Sequence, residues 1–154
     1  MNNVTQNKNY LSPTGFKVTI NSNEFANLEY FCTQCTLPSV SLSPVNLPFR
    51  GSQNRVAGER IEYPPFTMRF MVSENMENYI ELFNWIKENS LNEQFKKADV
   101  VLSILSSSNN VIKQIRYIDA FPTQMGELEF HTQTNDVEYL TLDASFEYNY
   151  FEFI

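Results

Sequence analysis

Apolar and polar residues alternate with a period of two along several short stretches of this chain, and with a helical period along one. In GFKVTIN (15–21), Phe16, Val18 and Ile20 alternate with Lys17 and Thr19, which predicts a half-buried strand. LEYFCTQCT (28–36), rich in aromatic and small apolar residues, reads as a second strand by composition. FTMRFMV (66–72) is a third, with Phe66, Met68, Phe70 and Val72 on one face. Helical spacing occurs in ENMENYIELFNWIKENS. There Met76, Tyr79, Ile80, Phe83 and Ile86 form one face, and Glu77, Glu81, Asn84 and Glu88 the other. Leu82 and Trp85 widen that stripe. Ser73 or Asn75 is the expected cap, with Glu74 and Glu77 near the positive end of the helix dipole.

DVVLSILSSSNNVIKQIRYIDA (99–120) reads as a hairpin turning at Ser107–Asn110. Val100, Leu102 and Ile104 alternate on its first strand. Its return strand has Ile112, Ile118 and Ala120 on one face and Val111, Ile115 and Tyr117 on the other. A break is expected at FPTQMGE, then a short strand LEFHT, a turn at TQTND, and one long strand VEYLTLDASFEYNYF. In that last strand Leu140, Leu142, Ala144, Phe146 and Tyr148 share a face. Tyr139, Thr141, Asp143, Ser145 and Glu147 share the other. The expected fold is mainly β: an antiparallel β-sandwich or barrel with one packed α-helix.

Between Leu37 and Pro65 the pattern stops. Five prolines (Pro38, Pro44, Pro48, Pro64, Pro65) predict a long loop rather than a central strand. Its Leu42, Val45, Leu47, Phe49 and Val56 are too apolar for free solution, so the loop is expected to dock against something. The rest organises as an N-terminal arm (1–14) and one domain (15–154) carrying that loop at 37–65.

Charge narrows the function. The formal net charge is −7, which argues against a nucleic-acid grip built on clustered Lys and Arg. From Tyr117 onward there are eight acidic residues and no Lys or Arg. They read as a solvated acidic face, or as a surface that repels something anionic. No apolar run is long enough for a membrane span, and the polar first residues lack the order of a signal peptide. A reducing compartment is the expectation, without a structural disulfide.

Candidate chemistry is thin. His131 is the one histidine, and no nucleophile motif, phosphate-cradling loop or metal-binding helix motif accompanies it. Cys32 and Cys35 have C-x-x-C spacing, but a zinc site needs a second ligand pair. Inside a strand, residues three apart point to opposite faces, so the sulfurs should diverge. No cofactor, metal or catalytic residue is assigned. A monomeric binding module using Tyr10, Trp85 and Tyr150 is an alternative class, as is an enzyme centred on His131.

The order of segments carries more. The strand ending in CTLP, the VAGER segment (56–60), the Asn84–Trp85 pair of the helix and the PTQMGEL break (122–128) occur in the order seen in one family. Over roughly residues 15–150 the chain resembles the tail-tube proteins of contractile-tailed bacteriophages. That resemblance implies a non-enzymatic virion protein whose six-membered rings stack into the inner tail tube. DNA would pass through the tube without specific binding. It also implies tail sheath, baseplate or tape-measure proteins as partners and assembly in the host cytoplasm. A tube-initiating, baseplate or neck ring of the same fold is the variant reading. Carried onto this sequence, the inter-ring loop falls on Pro38, Phe49, Arg50, Arg55, Gly58, Glu59 and Arg60. The acidic lumen falls on Glu127, Glu129, Asp143 and Glu147.

Overall fold

The computed structural model describes residues 9–21, 25–133 and 138–154, apart from the side chains of Ala26 and Tyr30. Residues 1–8 of the expected arm, part of the expected turn at 132–136, and Asp136 lie outside the described residues. The elements are β1 (Phe16–Ile20), α1 (Ala26–Tyr30), β2 (Cys32–Cys35), β3 (Ser41–Phe49), β4 (Ser52–Glu62), β5 (Phe66–Met71), α2 (Glu77–Leu91), β6 (Ala98–Leu105), β7 (Val111–Met125), β8 (Thr141–Glu147) and β9 (Tyr150–Phe153).

The fold is a mainly β sandwich. β7 serves both of its layers: its first half lies between β6 and β9, and β1 borders β6. Its second half pairs with β8, and the order continues through β5 to β2, every pairing being antiparallel. The change of layer has a local cause. Val100 pairs with Tyr117 but Ala98 pairs with Ala120, so β7 holds one extra residue. Asp119 absorbs it at φ 54, a left-handed conformation that Asp tolerates better than most residues. Its N–H donates to Asp99 Oδ1 at 3.0 Å, and Asn149 Nδ2 donates to its Oδ2 at 2.8 Å.

This bulge corrects the expected parity of β7. Ile115, Tyr117 and Ala120 all point into the core, because the extra residue moves Ala120 to the other face. The expected break at FPTQMGE is also absent. β7 continues to Met125, and Pro122 sits opposite Phe146 next to a second register shift, where a missing N–H is tolerated. The expected strand LEFHT is irregular, and the long final strand divides into β8 and β9.

The strands that alternate in sequence bury the residues expected. Val18, Ile20, Phe66, Met68, Phe70, Val100, Leu102, Leu142, Ala144 and Phe146 form the core with Tyr117 and Trp85. Phe66 lies at its centre, stacked on Tyr117 at 4.1 Å and on Phe146 at 5.3 Å. Tyr117 spans the layers, its hydroxyl donating to Thr36 O at 3.0 Å.

Helix α2 differs from its expected orientation. Its buried residues are Asn78, Leu82 and Trp85, while Ile80 and Phe83 are each 49% exposed. A buried asparagine could not be read as a core position from apolar periodicity. It is satisfied because Nδ2 donates to Met71 O at 2.5 Å and Oδ1 accepts from Ser73 N at 3.2 Å. The N-cap is Met76 at φ 56, with no side-chain cap bond, and not the expected Ser73 or Asn75; Ser73 Oγ, three residues earlier, still accepts from Glu77 N at 3.1 Å. Trp85 stacks on Phe25 at 4.0 Å and donates Nε1–H to Lys96 O at 2.9 Å. Among the described residues, no helix is long and apolar enough to cross a membrane.

Candidate assembly surfaces

The segment expected as a loop is a two-stranded antiparallel hairpin. Among the described residues, β3 and β4 pair only with each other, turning at Arg50–Gly51 with Gly51 at φ 81. Near the base the register shifts between Leu42 and Pro44, and there Gly58 crosses Ser43. A Cβ on Gly58 would lie 2.0 Å from Ser43 O, so no other residue fits that crossing unmoved.

The hairpin's register sorts its side chains. Val45, Leu47 and Phe49 share a face with Val56, while Pro44, Asn46, Pro48 and Arg55 share the other. Every residue of β3 and β4 is exposed except Gly58, which is half-buried. An isolated hairpin of this kind is marginal in water. This one also leaves an apolar stripe uncovered, with Phe49 68% exposed at its tip. Of the candidate inter-ring residues, Phe49 and Arg50 stand at the tip, and Arg55, Gly58, Glu59 and Arg60 follow along β4. Pro38 lies apart, half-buried between β2 and β3.

The candidate acidic residues do not form one face. Asp143 and Glu147 lie on β8 with Thr141 and Ser145, on the side away from the core. Glu127 and Glu129 are exposed on the irregular chain beyond β7, tethered where Gly126 N–H donates to Asp143 O at 2.7 Å. Asp143 is also paired. Arg69, opposite it on β5, donates Nε–H to Oδ1 at 2.7 Å and NH2 to Oδ2 at 3.2 Å. Those two hydrogen bonds hold the Asp143 carboxyl below its ordinary value. Arg69 is not among the residues expected from sequence; its signal there is a polar position between the core residues Met68 and Phe70. The rest of this outer face is rich in hydroxyls. Thr36 Oγ1 lies 3.2 Å from Thr67 Oγ1, and Thr123 donates to Ser145 O at 3.3 Å.

The cysteines also depart from expectation. Phe31 ends α1, so β2 begins only at Cys32, and its register against β5 shifts between Cys32 and Gln34. Cys32 therefore faces Phe70, Cys35 faces Met68, and both pack against the core from one side. Burial pushes the Cys32 thiol up to about 11 and the Cys35 thiol up to about 12. Both stay protonated at neutral pH, the opposite of what a reactive thiol needs.

His131 borders a shallow recess with Glu129, Phe130, Glu138 and Tyr139. Among the described residues, no group of three or more His, Cys, Asp and Glu is placed to hold a metal ion. Trp85 is 1% exposed and cannot stack on a ligand, so of the three aromatics of the binding-module reading only Tyr10 and Tyr150 are exposed.

The sequence matches the family described as phage tail tube protein over residues 2–154. The chain belongs to that family. Its general role as a member of the tail tube family is structural. Among curated relatives, the tail tube terminator protein of Enterobacteria phage T4 is 21% identical, over 94% of this chain and 89% of the relative. Among solved structures, a chain of the anti-feeding prophage cap, described as a tube-terminating cap, has a TM-score of 0.76 at 17% identity. That match covers 96% of this chain and 92% of that one. A chain of the PVC sheath–tube complex, from an extracellular contractile injection system in its extended state, has a TM-score of 0.75 at 17% identity. It covers 96% of this chain and 93% of that one. At such identities the structural likeness establishes the fold shared by this tail tube family member.

Proposed function

We propose that the chain forms six-membered rings that stack into the inner tube of a contractile tail, a channel for DNA during ejection. The observation that carries this reading is the exposed hairpin β3–β4, whose apolar stripe has no partner among the described residues. In a stack, Phe49, Arg50, Arg55, Glu59 and Arg60 reach the adjacent ring, and Gly58 with Pro38 shapes the arm. The outer face of β8 and β5 lines the channel, with Asp143 and Glu147 on it and Glu127 and Glu129 at its margin. Arg69 offsets Asp143, so the like charge that keeps DNA moving instead of adhering comes from Glu147, Glu127 and Glu129. The partners are other copies of the chain, the sheath, and baseplate or tape-measure proteins, in a virion tail assembled in the host cytoplasm.

A second reading is a ring that ends or starts the tube. The similarity to a phage tail tube terminator and to a tube-terminating cap supports it. Electron microscopy of the purified protein tests both readings. Self-propagating tubes support the repeating subunit, and rings that stop growing support the terminal one. A species that stays monomeric at high concentration counts against both.

A further inference from the structure

The hairpin has two edges, and they are not equivalent. Phe49 and Ser52 close its two-residue turn, which makes them a hydrogen-bonded pair, and pairs alternate from there. Leu47 with Asn54 and Val45 with Val56 are then hydrogen-bonded pairs. Pro48 with Gln53, Asn46 with Arg55 and Pro44 with Ala57 are pairs whose N–H groups point away from the partner strand. Both prolines thus stand where their missing N–H costs the ladder nothing. The same placement strips the outer edge of β3, leaving Asn46 as its one outward donor between 44 and 48. Across the hairpin, β4 keeps three outward donors in register: Gln53, Arg55 and Ala57.

Prolines on an outer edge block strand addition, and an intact edge invites it. We propose that β4 is the gripping edge of the hairpin, pairing main chain to main chain with an extended segment of a second copy. Charge selects that occupant. The hairpin holds Arg50, Arg55 and Arg60 against Glu59 and Glu62, so it is a cationic arm on a chain of net charge −7. Another copy of the same chain is the anionic surface it complements. This inference rests on the stacking reading above and adds which strand makes the contact and by what bonds.

Hydrogen exchange on assembled protein tests it first. The Gln53, Arg55 and Ala57 amides should exchange at least about tenfold more slowly in assemblies than in dispersed protein, with Asn46 unchanged. Variants test it second. Ala57→Pro and Arg55→Pro remove outward donors without touching the β3–β4 ladder, and should stop growth at single rings. Asn46→Pro, the same chemical change on β3, should leave stacking intact. Deleting residues 41–62 separates the two levels. If the deletion stops stacking but Ala57→Pro and Arg55→Pro stack normally, main-chain gripping is wrong while the stacking reading stands. If the deletion variant still stacks, both are wrong. Amide protection that arises only when a different protein is added would assign the edge to that protein and overturn the proposal.

Discussion

Arg69 grips Asp143 across the β5–β8 pair with two hydrogen bonds, neutralising the carboxylate at the middle of the outer face. Replacing Arg69 with Gln should raise the Asp143 pKa back toward the ordinary carboxylate range, as a carboxyl NMR titration would show. The sign follows from the depressed value. In the native protein the pair stabilises the fold above the unfolded carboxylate pKa, and that contribution fades as pH falls through the folded one. Both side chains are near half-exposed, so the melting temperature at neutral pH should hardly change.

Charge reversal probes the channel face. Glu127, Glu129 and Glu147 changed together to Lys should fold normally, since Glu127 and Glu129 are exposed and Glu147 lies on the outer face of β8. Assemblies of this variant should retain DNA through a salt wash that clears the native tube. Equal DNA retention in both would place the channel on a different face.

Gly58→Ala separates folding from assembly. The added methyl collides with Ser43 O and distorts the hairpin base. The hairpin contributes nothing to the buried core, so global stability should shift by no more than about 0.5 kcal/mol. Ring stacking, measured by sedimentation, should be lost.

The two sides of α2 should differ in how much stability a substitution costs. Trp85→Ala removes a buried, stacked ring and a hydrogen bond, and should cost about 3–5 kcal/mol in denaturant melts. Ile80→Ser and Phe83→Ser fall on the outward side and should each stay within about 1 kcal/mol.

The two thiols predict a loss of stability in alkali. Their folded values are raised, so the stabilisation is complete below the unfolded thiol pKa. It disappears as pH rises through about 11 to about 12. Denaturant midpoints measured from pH 8 to 11 should fall, and less steeply in the Cys32→Ala, Cys35→Ala double variant. Alkylation of the folded protein at pH 7.5 should be slow compared with the unfolded chain.

Legibility followed locality. The core faces of β1, β5, β6 and β8 are readable because a strand alternates over a few residues, and Phe66 or Leu142 needs no distant information to be placed. The hairpin was partly written as well, in Val45-x-Leu47-x-Phe49. Pro44 and Pro48 beside those residues point to a loop, and only strand pairing shows that both stand on an edge.

Composition and order alone determined a mainly β domain, its one long helix, its acidic balance and its family likeness, since these depend on local propensity and on the chain's own succession of segments. Tertiary structure decided the rest. A helix with apolar residues on several sides has no preferred stripe until a sheet selects one, so α2 buries Leu82 and Trp85 and turns Phe83 outward. One extra residue in a strand reverses every face beyond it, which is why Ala120 and the pair Cys32–Cys35 moved. Arg69 and Asp143 lie 74 residues apart in sequence, and their pairing exists only because β5 and β8 are neighbours.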